Sequence, residues 1–387
     1  MYPTLSDALN EWFGISVPLP IQTFGLMMAL SFFLAAYVLT LELKRKERQG
    51  LISPFTYQLT TGKPATFSEI FISAVVGFII GFKLLEAILH YSDLVNDPQT
   101  FLLSSRGNIL GGLLLGAYSG WSKYHEKEKL KSATPKVVTH TGHPHQFVMN
   151  ITMAAAIGGL LGAKIFHNLE NIDDFLKDPV DALISFSGLT FFGGLICGAA
   201  AVLWYSSKTL KIPPLVMCDA TAPALMLSYG TGRLGCHLSG DGDWGIANTL
   251  PKPSWFPFPE WMWRYNYPHN VIGEGVPIEG CTGKHCFELI PPVFPTPLYE
   301  AIACILLFLL LWRLRKRFAT PGMLFSVYIL FTGIERLAIE QIRVNTKYHF
   351  GSYAITQAEL ISAALIVVSI TAIAYLYRKS SHPITKS

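Results

Sequence analysis

Residues 74–89 read AVVGFIIGFKLLEAIL, and residues 155–170 read AAIGGLLGAKIFHNLE. Each is apolar over most of its length, and with its flanks reaches the ~20 helical residues that cross a bilayer. Each carries two glycines four apart and then a lysine: Gly77, Gly81 and Lys83 in the first, Gly158, Gly162 and Lys164 in the second. Small residues at that spacing let two helices approach closely in lipid. The likeness continues downstream, where Asp97-Pro98 answers Asp178-Pro179 and Gly111-Gly112-Leu113 answers Gly193-Gly194-Leu195. A helical hairpin over 68–145 therefore reads as an internal repeat of 147–212. Both copies run in the same sense. Parallel repeats also occur in transporters, which keeps a lipid-transport reading open.

The rest of the chain is of the same kind. Only 14% of its 387 residues are charged and 51% are hydrophobic, whereas a soluble chain holds about a quarter charged residues. Apolar stretches near 21–42, 68–90, 101–122, 147–168, 184–205, 215–238, 296–312, 321–341 and 355–377 predict nine spans. The third contains Arg106 and Asn108, and a buried or re-entrant helix is its alternative. The expected fold is an all-α integral membrane protein, a polytopic helical bundle of about nine transmembrane helices forming one domain over 1–387. The long loop 239–295 reads as an outer cap.

Lysine and arginine are retained on the cytoplasmic side. Lys44, Arg45, Lys46 and Arg48, then Lys123, Lys127, Lys129 and Lys131, then Arg313, Arg315, Lys316 and Arg317, then Arg378 and Lys379 all fall on one side of this topology. That bias predicts the N-terminus outside and the C-terminus inside. No Lys or Arg precedes Lys44, so the first span reads as a real helix rather than a leader with a basic start. The net charge of +4 belongs to inner loops facing an anionic leaflet, and no nucleic acid partner is expected. Cys197, Cys218, Cys236 and Cys304 read as small core residues. Cys281 and Cys286 can form a disulfide in an oxidising compartment. Zinc with His285 is the alternative, although the spacing matches no common zinc pattern.

The densest chemical signal is GRLGCHLSGDGDWG at 232–245. An arginine at membrane depth is costly unless it is paired or faces a polar cavity. Glycines around Arg233 would let backbone amides and a bulky anionic head group come close. A guanidinium can hold two phosphate oxygens at once, which suits a phosphodiester. The structural alternative is an arginine snorkelling to the interface from a helix end. A second cluster, Arg336, Glu340 and Arg343, has i, i+4, i+7 spacing and would share one helix face at the level of Arg233; a self-contained ion ladder is its alternative. Pro297-Leu298-Tyr299-Glu300 opens the seventh span, where Tyr299 could equally belong to an aromatic belt. Lys83 with Glu86, and Lys164 with His167, read as structural pairs within the repeats. Asp219 has no assigned role. Phosphate-loop, dinucleotide-binding and zinc-protease patterns are absent, and neither metal nor cofactor is expected.

These residues resemble the bacterial prolipoprotein diacylglyceryl transferases. The stretch 232–245 is similar to that family's Gly-Arg-x-Gly-Asn-Phe-x-Asn-Gly-Glu signature with its closing Trp-Gly, Arg233 matching the arginine and Gly245 the last glycine. Pro297-Leu298-Tyr299-Glu300 resembles Gln-Leu-Tyr-Glu. Arg336, Glu340 and Arg343 fit Arg-x-x-x-Glu-x-x-Arg, Phe24-Gly25-Leu26-Met27 resembles Tyr-Gly-Leu-Met, and Gly193-Gly194-Leu195 resembles His-Gly-Gly-Leu. The family has seven spans, so the extra hairpin accounts for nine. The resemblance implies a multi-pass protein of the bacterial inner membrane. It would move the diacylglyceryl group of phosphatidylglycerol to the lipobox cysteine thiol in prolipoprotein signal peptides. Gly232, Gly235, Cys236, Ser239, Gly240, Gly245, Tyr299, Glu300, Glu340, Arg343, Gly193 and Gly194 would then line the lipid and peptide site.

The departures concern proton transfer. The signature's asparagines are Cys236 and Ser239 here, Asp241 takes the acidic place, and one extra residue precedes Trp244. The first-helix tyrosine is Phe24, the middle-helix histidine is Phe192 (Leu110 in the extra copy), and the tyrosine one turn before Arg336 is Thr332. Arg233 and Arg336 are thus expected to hold phosphate, and His237, with Asp241 or Asp243, to act as base; a packing or capping histidine is the alternative. A relative that binds anionic lipid without transferring it is the competing functional class.

Overall fold

The computed structural model describes residues 1–131, 136–179, 182, 190–350 and 353–381. In chain order its helices are α1 (Leu5–Phe13), α2 (Thr23–Arg48), α3 (Phe67–Leu89), α4 (Tyr91–Asn96), α5 (Pro98–Leu103), α6 (Ile109–Lys129), α7 (Val148–Glu170), α8 (Ile172–Lys177), α9 (Phe191–Lys208), α10 (Pro214–Ser239), α11 (Thr296–Leu314), α12 (Met323–Glu340) and α13 (Gln357–Ser381). Among the described residues nine of these run 18 residues or longer. Five segments are long and apolar enough to cross a membrane: Thr23–Arg48, Phe67–Leu89, Pro144–Glu170, Thr296–Leu314 and Gln357–Lys379. Large apolar side chains such as Phe33, Ile79, Leu160, Leu306 and Val367 lie on the surface. Apolar cover on that scale suits lipid rather than water. The chain is a helical membrane protein. Residues 184–189, the start of the expected fifth span, lie outside the described residues.

Three two-stranded sheets accompany the helices: β1 (Phe55–Thr61) with β2 (Lys136–Gly142), β3 (Val276–Pro277) with β4 (Phe287–Glu288), and β5 (Lys347–Phe350) with β6 (Tyr353–Thr356). The chain divides into two compact units, one of Tyr2–Thr23 with Thr56–Gly142, the other of Met1, Phe24–Phe55 and His143 onward.

In the smaller unit α3 and α6 form an antiparallel hairpin whose crossing is glycine on glycine. A Cβ on Gly111 would lie 2.5 Å from both the Gly81 carbonyl oxygen and the Leu85 Cβ. Asn108 caps α6 by accepting from Gly111 N at 3.2 Å, a side-chain cap that satisfies an orphan amide of the first turn. This cap corrects the expected third span. The helix begins at Ile109, and Arg106 sits before it, paired with Glu86 at 2.9 Å and Asp93 at 2.8 Å. Lys83 likewise does not pair with Glu86 by hydrogen bond. Its ammonium donates to the carbonyls of Phe101, Ser104 and Arg106 at 2.6–2.9 Å, closing the turn between the helices.

The larger unit contains a second such hairpin, α7 with α9. A Cβ on Gly193 would lie 2.5 Å from both the Gly162 carbonyl oxygen and the Phe166 Cβ, the same contact at the matching positions. Backbone atoms cannot yield as a flexible side chain can. Gly162→Leu is therefore expected to lower stability by about 1–3 kcal/mol through overpacking, read as a fall in the midpoint of thermal unfolding in detergent.

Beside this hairpin, Ala222, Met226, Cys304, Leu311, Leu324 and Val327 form a buried core between α10, α11 and α12. Buried Asp219 on α10 accepts from Gly322 N and Phe325 N, both at 2.9 Å, and so holds the first turn of α12. Its role is structural. The loop after α10 has its own core of Trp244, Tyr267, Leu289 and Val293. Cys281 and Cys286 are joined there by a disulfide.

Candidate active site

Helix α10 brings Arg233 to the mouth of the loop it leads into. Glycines make room. A Cβ on Gly235 would lie 2.9 Å from the Met27 Cβ of α2, whereas Gly232 meets only the Met28 sulfur at 3.6 Å. The helix ends at Ser239, and Gly240 takes the left-handed conformation at φ 66° that reverses the chain. A Cβ there would also meet the Asn270 Cβ at 2.9 Å.

Glu300, one turn into α11, is fully buried and gathers three arginines. Arg233 pairs with its Oε2 through Nε, Arg343 Nη1 lies 2.9 Å from its Oε1, and Arg336 Nη1 lies 3.7 Å from the same oxygen. Tyr229, one turn before Arg233, donates its hydroxyl to Glu300 Oε2 at 2.8 Å. The Tyr229 ring lies 5.1 Å beneath the Arg233 guanidinium, a cation–π contact. On the loop side, Asp243 bridges Arg233 and Arg343, one carboxylate oxygen to each. Its side chain stays one-third exposed.

Glu340 completes the cluster, 3.1 Å from Arg336 Nη2 and accepting from Asn345 at 2.6 Å. Arg336 Nη1 is buried and has no hydrogen-bond partner among the described residues. At 3.7 Å its approach to Glu300 is too long for one. Such a donor is normally satisfied, so it is the open hydrogen-bonding position of the cluster.

Arg343 reaches this place by a route the i, i+4, i+7 spacing did not anticipate. Helix α12 ends at Glu340, so Arg343 lies in the following turn and not on a continued helix face. It is held there by a β-bridge to Gly245, with Ile246 N donating to Ile342 O at 2.9 Å. A Cβ on Gly245 would meet Thr296 Cγ2 at 2.8 Å and Phe294 Cβ at 3.0 Å, which accounts for the glycine.

The other candidate residues have different surroundings. Cys236 Sγ is buried and 3.8 Å from Arg233 Nη1, and its sulfur lies with carboxylate oxygens of Asp241 and Asp243 within 4.8 Å of one another. His237 is buried among Trp261, Tyr265 and Tyr267, its Nδ1 3.1 Å from the Tyr267 hydroxyl. Burial pushes the Tyr267 hydroxyl well above its ordinary range, so it stays a neutral phenol. Ser239 returns its hydroxyl to Gly235 O at 2.8 Å. Tyr299 donates to Met262 O at 2.6 Å, fastening the loop to α11. Gly193 and Gly194 face α7, where a Cβ on Gly194 would lie 3.2 Å from Gly159 O. Tyr229 and Asp243 belong to the arginine cluster although neither stood out as a phosphate-site residue. The i−4 spacing of Tyr229 from Arg233 was the available signal.

A sequence model described as prolipoprotein diacylglyceryl transferase matches residues 132–375. The phosphatidylglycerol–prolipoprotein diacylglyceryl transferase of Corynebacterium glutamicum is 31% identical over 235 residues, covering 58% of this chain and 69% of that protein. The enzymes of that name from Leptospira interrogans and Clostridium tetani are 29% and 27% identical, over 50% and 59% of this chain and 61% and 80% of theirs. The matched region holds α7 to α12 and every residue of the arginine cluster, while the α3–α6 hairpin precedes it. This chain belongs to the prolipoprotein diacylglyceryl transferase family.

Proposed function

We propose that the chain transfers the diacylglyceryl group of phosphatidylglycerol to the lipobox cysteine thiol of prolipoprotein signal peptides. It does so at the outer leaflet of the bacterial inner membrane, from a nine-span topology with the N-terminus outside and the C-terminus inside. Family membership and the names of the relatives support the reaction. The observation that carries it is the meeting of Arg233, Arg336 and Arg343 around Glu300, with one Arg336 donor left open.

In this reaction the substrate sulfur attacks the terminal glycerol carbon, the carbon–oxygen bond to phosphate breaks, and glycerol phosphate leaves with the electron pair. Negative charge collects on the departing phosphate oxygen, where fixed guanidinium donors stabilise it more than they stabilise the diester. A lipid phosphate entering the cluster takes the place of Asp243, the most exposed of its carboxylates. The thiol proton, lost from a group that titrates near about 8.5 in water, passes to His237. With Nδ1 held by Tyr267, Nε2 is the nitrogen that exchanges the proton.

Purified protein incubated with phosphatidylglycerol vesicles and a lipobox peptide should release glycerol phosphate and form a thioether. Retained lipid binding without either product would leave only a lipid-binding relative. His237→Ala is expected to slow transfer by about 10²-fold or more, in the range of a lost general base, with lipid binding unchanged. A variant as fast as the parent would remove His237 from the mechanism.

A further inference from the structure

At the C-terminal end of α2, Glu47 faces the two histidines of the His143-Pro144-His145 turn that leads into α7. Its Oε1 lies 2.5 Å from His143 Nδ1 and its Oε2 3.2 Å from His145 Nδ1. The two imidazole rings are 5.6 Å apart. One ligand atom from each residue lies within 4.8 Å of the others. The transfer chemistry uses none of the three. The geometry points to a divalent transition-metal site formed by Glu47, His143 and His145, with Zn2+ the best-matched ion.

Two imidazole nitrogens and a carboxylate oxygen are a donor set for zinc and its neighbours rather than for calcium or magnesium. Bonds of about 2.0–2.1 Å to a tetrahedral ion place its donors roughly 3.3 Å apart. The His145 contact already has that spacing. The His143 contact opens by under about 1 Å when a metal takes the place of the hydrogen bond to Glu47.

The histidines are held in place by their own turn. His143 N donates to Gln146 Oε1 at 3.1 Å, and Gln146 N donates back to His143 O at 2.9 Å. Pro144 is buried, and the Phe147 ring at the end of the turn lies 5.2 Å from Phe55. Two cations on the same helix are engaged elsewhere: Arg45 with Glu42 and Gln49, and Lys46 with Asp219 at 3.9 Å. His143 remains 41% exposed, which leaves a solvent side for a water as fourth ligand. A bound ion ties the end of α2 to the entry of α7.

The test uses the full chain in detergent with any affinity tag removed. Zn2+ should bind at about one equivalent per chain, as a single three-residue site requires, and raise the unfolding midpoint by a few degrees. Co2+ should give visible d–d absorption. Both Glu47→Gln and the double variant His143→Ala/His145→Ala should weaken binding by more than about 100-fold, beyond the effect of losing an outer-shell partner, and abolish the midpoint shift. Absence of stoichiometric binding by the parent would overturn the site and leave a carboxylate–imidazole hydrogen-bond pair. So would a double variant that binds as tightly as the parent.

Discussion

Arg233→Ala should lower diacylglyceryl transfer by about 10²–10³-fold, the range seen when one preorganised donor to a developing oxyanion is removed. Arg233 joins Glu300, Asp243 and the ring of Tyr229. Its loss removes charge at the phosphate and also the α10 side of the cradle. The fold should survive, because Glu300 and Asp243 keep Arg343 and the two carboxylates are not left unpaired. Arg233→Lys should recover only part of the rate, since an ammonium cannot make the two-pronged contact of a planar guanidinium. Thioether formation on a lipobox peptide, measured beside the thermal midpoint of each variant, separates catalysis from folding. A rate within about tenfold of the parent would show that phosphate is held elsewhere.

Glu300→Ala should have its main effect on stability. This carboxylate is fully buried and is shared by Arg233, Arg336, Arg343 and the Tyr229 hydroxyl. Removing one partner of a buried ion pair typically costs about 3–5 kcal/mol because the other charge is left without compensation. Here three guanidinium groups share the loss, although Asp243 and Glu340 still offset part of it. The expected result is a steep drop in the thermal midpoint and in the yield of folded protein from membranes. Glu300→Gln keeps the shape and the acceptor for Tyr229 while removing the charge, and should fall between the two. An alanine variant as stable as the parent would mean that the arginines are satisfied without Glu300.

Much of this arrangement was legible in the sequence, for reasons that differ by residue. Arg233 was conspicuous because an arginine among glycines in an apolar run has few structural uses. The helices were conspicuous because lipid forces long apolar segments, and the glycine pairs of the two hairpins followed from their spacing. The start of the third apolar stretch is not legible because Asn108 acts as a cap: hydropathy averages over Arg106 and Asn108, whereas a cap depends on one side-chain oxygen. Arg343 was placed on a helix face because periodicity cannot see that Gly245 draws the chain away after Glu340. The aromatic surroundings of His237 come from Trp261, Tyr265 and Tyr267, and the path of a long loop decides such meetings. Asp243 had the composition of an ordinary turn and gave no sign of bridging two arginines.

The glycine crossings of α3 with α6 and of α7 with α9 have a consequence for ancestry. Each pair meets backbone to backbone, so its closest contacts come from within and require no matching surface on a neighbour. An antiparallel pair also delivers the chain back to the end from which it set out. A gene segment encoding such a pair can be copied in tandem without turning everything downstream upside down.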